Sequence, residues 1–575
     1  MSDPQTDATV DLPTAVFPPP TPPVSPDAEA PFLPTPTLAP GATLPATEPA
    51  SEQSDPTPEG KDAHLVPQPP PATADASGPG SSIGRYTLGT TANVPIEIIA
   101  AAQQTADANP ELFAWVGAAG NELPDVLLSP DGQTPLASWV YTVAAPFATV
   151  TDDVSWPSVT TGWQTGQSEL GSLLIPGESA AALEHLLGGS TPAQTLGEDR
   201  VGGLWAARPS WTILPFDQLR PEFKVLSIDG ISTLAHDFDA TAYPLTATIG
   251  LSGDEDAVAA FLSTYNGPTT NRNPNLLTRV AMTGVTALVR ATAFQMEQNG
   301  MLWPGEEVAP VLQSADIAHV SNEVSFTPDC PFPDPYGGTT FCSNDRYFEL
   351  LESLGIDVIE LTGNHVNDYG REPLAHTLDL YAGAGMDWFG GGRNLADASR
   401  AAEFSHNGNR IAFVGCNPVG PANAWATADA AGSRPCGPDM QAQISQLRDE
   451  GYVVIATLQY TEYYQYPPTP QQEADFAELA QAGAAAVSGS QGHHAQSFAF
   501  DDGSFVHYGL GNLFFDQMDM LGTRQSLVDT YVIYDGRLVS VELWTGLIEN
   551  WARPRLMTPE ERAETLQALF QASGW

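Results

Sequence analysis

The chain has 575 residues, and its 21 basic and 69 acidic residues give a formal net charge of −48. This balance excludes a nucleic-acid binder held by a basic surface, because phosphate contacts need lysine and arginine. Lys61 and Lys224 are the only lysines, which argues against a polybasic membrane patch. The length predicts two or three domains, and no apolar run of about 18 residues indicates a transmembrane segment. Such acidity is typical of a solvated surface, with a saline habitat or an affinity for cations as the alternatives.

Residues 1–82 differ in composition from the rest of the chain. The first 80 residues hold 21 of the 52 prolines. This Pro/Thr-rich, acidic stretch predicts a disordered, extended linker, because it buries too little apolar surface to offset the cost of ordering. The start at Met1 shows no signal-peptide pattern, so either the chain is cytoplasmic or a signal has been removed from it.

The four cysteines form two local pairs, Cys330 with Cys342 and Cys416 with Cys436. No CxxC spacing indicates a zinc site. Two disulfides are the favoured interpretation, each contributing about 3 kcal/mol by loop closure, and four free buried thiols are the alternative. Disulfides predict an extracellular or cell-surface location.

Residues 83–274 mix helical stretches with short apolar strands. Residues 96–109 and 179–187 are the clearest predicted helices, and Ile213–Phe216 with Val225–Gly230 indicate a β-turn-β unit. The stretches 211–217, 224–230 and 243–245 resemble part of a periplasmic solute-binding fold. We therefore expect a smaller α+β domain here, acting as a binding module or a spacer. Trp205, Trp211 and Tyr243 are expected in its core.

From about Leu277 onward, strands and helices alternate. The predicted strands are Arg279–Met282, Ile317–Val320, Val358–Leu361, Ile411–Val414, Val453–Leu458 and Ala484–Ser488; the predicted helices are residues 344–354, 373–384, 440–450 and 471–482. This alternation predicts an α/β fold with a largely parallel sheet. A hairpin on Asp535-Gly536 and an amphipathic helix from Thr558 complete the chain.

Unusual polar residues follow five predicted strands, four of those above and a fifth at Phe505–Tyr508. They are Asn322 and Glu323, then Asn364, His365 and Asp368, then Gln459 and Glu462, then Gln491 and His493, and finally Asn512. Because ligands bind beyond the carboxyl ends of parallel strands, we expect these side chains to share one site. Carboxylate, amide and imidazole groups together suit one divalent cation.

The ordered motifs around these residues resemble the CapA family, which is associated with bacterial capsule and poly-γ-glutamate synthesis. They are Gly363-Asn364-His365 with Asp368, Glu462-Tyr463, Gly489-x-Gln491-x-His493 and Tyr508 to Gln517. The family is similar in fold to the calcineurin-like metallophosphoesterases. The resemblance implies a four-layer α/β metallophosphoesterase-like sandwich over residues 275–550, followed by a C-terminal helix within residues 551–575.

The resemblance also implies roles for individual residues. Glu323 and His493 would bind metal, and Asn364 would bind metal or donate to an oxyanion. His365 would protonate a leaving group, and Glu462 would orient water or bind metal. Asn322, Asp368, Gln459, Gln491 and Asn512 would contact the substrate. His494 is not expected to replace a ligand, since it follows His493 and would point elsewhere in an extended segment.

Three positions depart from the family pattern. Val285 stands where the family has an aspartate, Leu458 or Gln459 where it has a histidine, and Gln491 replaces the first histidine of a His-x-His element. A two-metal centre is therefore not expected. A single Mn, Mg, Ca or Zn ion and a metal-free cleft both stay open.

These features lead to three alternative hypotheses about function. The chain is either a cell-surface, metal-dependent hydrolase or transferase acting on an anionic polymer or phosphoester, or a non-catalytic protein that binds such a polymer or other envelope components during export. The third hypothesis is solute capture by residues 83–274. Surface anchoring through a removed N-terminal signal is part of this expectation, and nucleic-acid partners are not expected.

Overall fold

The computed structural model describes residues 85–120 and 122–575. The linker expected at residues 1–82 lies outside them. Residues 84–575 belong to one compact unit. Within the described residues, no helix has both the length and the apolarity required to cross a bilayer.

The N-terminal block is built on one large mixed sheet. Its strands are β1 (Tyr86–Thr90), β2 (Phe113–Ala118), β3 (Val126–Ser129), β4 (Thr134–Pro146), β5 (Asp153–Val154), β6 (Gln167–Ser168), β7 (Gly171–Pro176), β8 (Gln194–Leu196), β9 (Ser210–Pro215), β10 (Phe223–Ile228) and β11 (Thr246–Gly253). Its helices are α1 (Ile96–Ala108), α2 (Trp156–Thr165), α3 (Ala180–Leu187), α4 (Arg200–Ala206) and α5 (Glu255–Thr264). The main strand order is β2-β1-β3-β11-β4-β9-β7-β6. Trp211 and Tyr243 are buried in its core, as expected. Trp205 is only partly buried and packs instead against an apolar cluster of the C-terminal half.

The expected β-turn-β unit needs correction. β9 and β10 are both strands, but they do not pair with each other; each pairs with β4. A one-turn 3-10 helix, Phe216–Gln218, follows β9 and is followed by Pro221. This connection is too long and too proline-rich for a tight hairpin.

The C-terminal half carries two further large sheets. Its strands are β12 (Leu277–Thr283), β13 (Val285–Thr286), β14 (Ile317–Asn322), β15 (Val358–Glu360), β16 (Asp387–Phe389), β17 (Gly391–Gly392), β18 (Ala402–His406), β19 (Asn409–Cys416), β20 (Gly432–Ser433), β21 (Val453–Leu458), β22 (Ala486–Ser488), β23 (Phe498–Asp501), β24 (Ser504–His507), β25 (Asn512–Phe514), β26 (Gln525–Tyr534), β27 (Arg537–Glu549) and β28 (Arg553–Leu556). Its helices are α6 (Arg290–Asn299), α7 (Ala309–Gln313), α8 (Phe348–Ser353), α9 (Arg371–Ala384), α10 (Leu395–Ala398), α11 (Pro438–Asp449), α12 (Pro470–Ala482), α13 (Leu521–Arg524) and α14 (Pro559–Ala572).

These elements form four layers. In the first sheet β12, β14, β15 and β16 are parallel, and β26 joins β12 antiparallel. In the second, β19, β21, β22 and β24 are parallel. One apolar cluster lies between the sheets and includes Val280, Ile317 and Phe413. Two others lie beneath the outer helices, one with Leu374 of α9 and one with Ile444 of α11. The C-terminal half is thus an α/β sandwich, as predicted.

Helix α8 is shorter than expected. Residues 344–354 were predicted to be one helix, but Asn344 caps a 3-10 turn over Asp345–Tyr347 before α8 begins. The C-terminal helix is present as α14, where Thr558 and Glu561 form a reciprocal capping box. Leu566, Leu569 and Phe570 are buried in the core between the sheets, as expected.

Both predicted disulfides are present. Cys330 bonds Cys342 and Cys416 bonds Cys436, with Cα–Cα distances of 5.8 and 5.0 Å. The first closes a loop after β14, and the second joins the end of β19 to Cys436, two residues before the start of α11. The alternative of four free thiols is therefore wrong.

Candidate functional site

The carboxyl ends of the parallel strands meet at one rim. Glu323 follows β14 directly, residues 361–370 follow β15, residues 459–464 follow β21, and residues 489–496 follow β22. Gly363 packs against the main chain of Glu323 so closely that a Cβ there would lie 2.9 Å from the Glu323 Cα. The glycine of the Gly-Asn-His motif therefore allows two of these loops to touch.

His493 lies between two carboxylates. Its Nε2 is 3.8 Å from Oε1 of Glu323 and 3.5 Å from Oε1 of Glu462, and its Nδ1 donates to Oδ1 of Asn512 over 2.7 Å. The ring also stacks on Phe515 with centroids 5.1 Å apart. Burial opposes its protonation, but the charges of Glu323 and Glu462 outweigh that cost and raise the pKa of His493 to about 9.

Glu462 is held as a carboxylate. The hydrogen bond from His493 is the main reason that the pKa of Glu462 falls to about 2, although partial burial acts against it. Tyr464 also donates to this carboxylate. A group with so low a pKa is a weak base, so it is better suited to orienting a water molecule or a cation than to removing a proton.

His365 forms a pair with Asp368. Its Nδ1 lies 2.7 Å from Oδ2 of Asp368, which also accepts the main-chain N–H of Phe341 over 2.9 Å. The Phe341 ring packs on the imidazole at 4.5 Å. Burial lowers the pKa of His365, but Asp368 and the charge of Glu323 reverse that and leave it raised. The imidazole is thereby oriented and biased towards its protonated form.

Glu323 is fully buried, and neither carboxylate oxygen has a hydrogen-bond partner among the described residues. Unpartnered side-chain oxygens also occur on other residues of this rim, namely Thr286, Asn322, Asn364, Gln459 and Gln491. Buried polar atoms in folded proteins normally have partners, so these oxygens, with the equally unpartnered Nε2 of Gln491, make the rim a candidate binding site for a polar or charged ligand.

The oxygen atoms available as metal ligands suit one hard cation better than a two-metal centre. No three His, Cys, Asp or Glu side chains in the described part of the chain are arranged to hold a metal ion. One carboxylate with neighbouring amide oxygens is the chemistry that Mg²⁺, Mn²⁺ or Ca²⁺ accepts. Val285 is buried in β13 and offers no ligand atom.

Several predicted site residues are engaged with protein groups. Asp368 orients His365, and Asn512 uses Oδ1 for His493 and Nδ2 for the carbonyl of Thr523. Asn322 donates Nδ2 to Tyr381 and to the carbonyl of Val324. We expect these three residues to contact substrate. In the structure, the carboxylate of Asp368 and the side-chain amides of Asn512 and Asn322 bond neighbouring protein groups and hold them in position. The Gln491 side chain stays without a partner among the described residues.

His494 makes other contacts than His493 does. Its Nδ1 faces the carbonyl of Ala495 and its ring packs against Tyr466. A buried group that sequence reasoning missed is Glu360, which ends β15. It accepts hydrogen bonds from Thr362 and Ser490 and lies 3.3 Å from Nε2 of His319, and so joins the bases of two site loops. A glutamate at the end of an apolar strand was the available signal.

The comparisons with known proteins concern this half of the chain. Residues 279–517 match the family described as bacterial capsule synthesis protein PGA_cap. The "Capsule biosynthesis protein CapA" of Bacillus anthracis is 32% identical over 198 residues, covering 34% of this chain and 48% of that protein. The "PGA biosynthesis protein CapA" of Bacillus subtilis (strain 168) is 24% identical over 237 residues, covering 41% of this chain and 62% of that protein. The chain thus spans about half to three-fifths of the length of these two relatives.

Among solved structures, an ABC-type phosphate transport receptor from Vibrio cholerae aligns with a TM-score of 0.27 and 12% identity, covering 32% of this chain and 94% of that one. A score this low does not define a fold, so the solute-binding resemblance of residues 83–274 stays a prediction. The sequence matches are more specific: residues 279–517 match the PGA_cap family of bacterial capsule synthesis proteins, and the chain is similar to two proteins named CapA.

Proposed function

We propose that this protein acts at the bacterial cell surface in the synthesis, export or processing of an anionic capsule polymer of the poly-γ-glutamate type. The names of the two CapA relatives support the process, and the two disulfides support the location. We further propose that the rim around Glu323 hydrolyses or transfers a bond of that polymer or of a phosphoester.

The unpartnered, fully buried carboxylate of Glu323 is the observation that carries this proposal. Glu323 and the amide oxygen of Asn364 would hold one divalent cation, with His493 joining once it has lost its proton. Such a cation would polarise a carbonyl or phosphoryl oxygen of the substrate.

The charge of the site explains why a cation is needed. With both histidines protonated, two imidazoliums face the carboxylates of Glu323, Asp368 and Glu462, which leaves one surplus negative charge. A polyanion would be repelled by this site and by the acidic chain around it. One bound divalent cation would change the local sum to +1 while His493 stays protonated, and to zero once His493 loses its proton and binds the cation.

Residues of the protein would have separate roles in this reaction. His365, oriented through Nδ1 by Asp368, donates a proton from Nε2 to the leaving group. Glu462, ionised and fixed by Tyr464, orients the attacking water or hydroxyl. Asn512 fixes the orientation of the His493 ring.

The test is hydrolysis by the full chain with Mn²⁺, Mg²⁺, Ca²⁺ or Zn²⁺, using poly-γ-glutamate and bis(p-nitrophenyl) phosphate as probes. His365→Asn should reduce turnover by about a hundredfold or more, the usual effect of losing a general acid. The matched control is His376→Asn. His376 lies on α9, and its ring is paired with Asp345 over 2.8 Å. Full activity of His365→Asn would refute the catalytic role.

A second candidate is a non-catalytic polymer-binding protein. The replaced ligand positions Val285 and Gln491 favour it, as does the lack of a three-residue metal group in the described part of the chain. It predicts that His365→Asn retains cation-dependent co-sedimentation with poly-γ-glutamate, while Glu323→Gln loses it. No co-sedimentation of the unmodified chain, with or without Ca²⁺ or Mg²⁺, would contradict this candidate.

A further inference from the structure

Arg290 lies where three segments that border the candidate site meet. It begins α6 and lines a small cavity beside the loop that the Cys330–Cys342 disulfide closes. Its guanidinium donates through Nε and Nη2 to the two carboxylate oxygens of Asp516, which lies just after β25. The side chains of Arg290 and Asp516 are 22% and 4% exposed, so the pair is largely removed from water. The same carboxylate accepts the main-chain N–H of Ala291 over 3.0 Å and thus holds the first turn of α6 as well.

The guanidinium also lies over two phenylalanine rings. Its Cζ is 5.0 Å from the ring centroid of Phe341 and 4.9 Å from that of Phe515. The two rings meet edge to face with their centroids 6.1 Å apart, and both are buried in one small apolar cluster. A cation within about 6 Å of an aromatic face is attracted to it, more strongly where water is excluded. Arg290 therefore holds both rings at once.

Each of these rings contacts one histidine of the candidate site. Phe341 packs on His365 with centroids 4.5 Å apart, and Phe515 stacks on His493 at 5.1 Å. The two histidines belong to loops that follow different sheets, β15 in the first and β22 in the second. Arg290 reaches both of them through a single intervening ring each.

The main chain at Arg290 adopts a conformation that is unfavourable for its residue type. Its φ is +44°, in the left-handed region that residues with a Cβ seldom occupy. Such conformations persist where surrounding contacts hold them, and they are concentrated at functional sites. The contacts of Arg290 with Asp516, Phe341 and Phe515 are those that hold it here.

We propose that Arg290 is a positioning residue of the candidate site: fixed by Asp516, it holds Phe341 and Phe515 and through them orients His365 and His493. Arginine suits this role because its planar guanidinium can pair with a carboxylate through two N–H groups while its faces stack on aromatic rings. A consequence for turnover rests on the function proposed above, whereas the orientation of the two imidazoles does not.

The test is NMR of the histidine-labelled full chain without added metal. Carbon-bound protons of an imidazole that packs on a phenyl ring experience its ring current, so their chemical shifts report the packing. Arg290→Met keeps the apolar stem and removes the charge and the planar fork. The signals of His365 and His493 should both move towards those of exposed histidine. Spectra recorded at pH 5, below the ordinary histidine pKa of about 6.5, compare protonated imidazoles in every protein.

Arg400→Met is the matched control. Arg400 pairs with the two carboxylate oxygens of Asp387 at 3.0 and 2.6 Å, and its Cζ lies 5.4 Å from the ring centroid of Trp388. These are the contacts that Arg290 makes, but Asp387 begins β16, at the end of the parallel strands opposite to the site. Arg400→Met should leave both histidine signals in place.

Arg290→Lys keeps a cation near the two rings without the fork, so it should move both signals in the same direction as Arg290→Met but less far. The proposal would be overturned if Arg290→Met moved neither signal or only one, or if Arg400→Met moved both as far. Should Arg290→Met fail to fold, unmoved signals in Arg290→Lys would overturn it.

Turnover distinguishes this proposal from the proposed function. If the full chain hydrolyses bis(p-nitrophenyl) phosphate, Arg290→Met should lower kcat by about tenfold or more with little change in KM, because misplaced catalytic groups slow the chemical step. An unmodified chain that hydrolyses neither probe, with both histidine signals still moved by Arg290→Met, would refute the proposed hydrolysis and support the positioning role.

Discussion

Loss of the disulfide between Cys330 and Cys342 should affect both the candidate site and the stability of the fold. Loss of the disulfide between Cys416 and Cys436 should affect stability alone. The two bridges close loops with sequence separations of 12 and 20 residues. The chain-entropy relation then gives each about 3 kcal/mol of stabilisation, slightly more for the longer loop. The double variants Cys330→Ser/Cys342→Ser and Cys416→Ser/Cys436→Ser should therefore lose similar free energies of unfolding.

Their effects on His365 should differ. Phe341 precedes Cys342, packs on His365 at 4.5 Å, and donates its N–H to Asp368. Releasing the loop frees Phe341 and loosens the pair that raises the pKa of His365. The carbonyl of Cys416 accepts the N–H of Gln459 over 3.1 Å, and this main-chain hydrogen bond does not depend on the sulfur bond.

Urea unfolding measures the first effect, and NMR titration of labelled histidine measures the second. The Cys330/Cys342 variant should show a lowered pKa for His365, and the Cys416/Cys436 variant an unchanged one. The reasoning is refuted if the pKa of His365 shifts equally in both variants, or if neither variant loses stability.

Three further predictions concern single residues. Glu323→Gln should lower the pKa of His493, because the charge of Glu323 is the largest effect that raises it; an unchanged NMR titration would contradict this. Gly522→Ala should destabilise the fold by about 1–3 kcal/mol in urea, since the added Cβ would overlap the ring of His494. The control is Gly383→Ala, whose Cβ meets no atom within 4 Å and whose φ, like that of Gly522, is not positive, so it should not destabilise the fold. The folded pKa of Glu462 is about 2 against an ordinary value of 4.5, so its stabilisation is present above pH 4.5 and is lost as the pH falls towards 2. Glu462→Gln should accordingly flatten the acid-unfolding profile in that interval, and an identical profile would exclude the ion pair with His493.

The meeting of these side chains at one rim could be predicted because it depends on the parallel direction of the strands. Once strands and helices alternate, parallel strands present their carboxyl ends at one rim, and Glu323, His365, Glu462 and His493 follow such ends. The disulfide pairing was predictable for a similar reason, since each pair spans one local loop.

The contacts of individual side chains could not be predicted in this way. Asn512 and Asp368 follow strands as a ligand-binding residue would, but their partners, His493 and His365, depend on side-chain directions within folded loops. The separation of β9 from β10 by β4 depends on a long-range pairing that no local pattern encodes. The carboxylate of Asp152 likewise joins Lys224 to Arg562 across 338 positions of sequence.

The most direct test of the proposed site is the number of Mn²⁺ ions bound per chain at equilibrium, in the unmodified protein and in Glu323→Gln. The account predicts one ion for the former and none for the latter, since Glu323 is the only carboxylate at the rim whose two oxygens both lack hydrogen-bond partners in the described structure. An unmodified chain that binds no Mn²⁺, or a variant that binds as much as the unmodified chain, would contradict it.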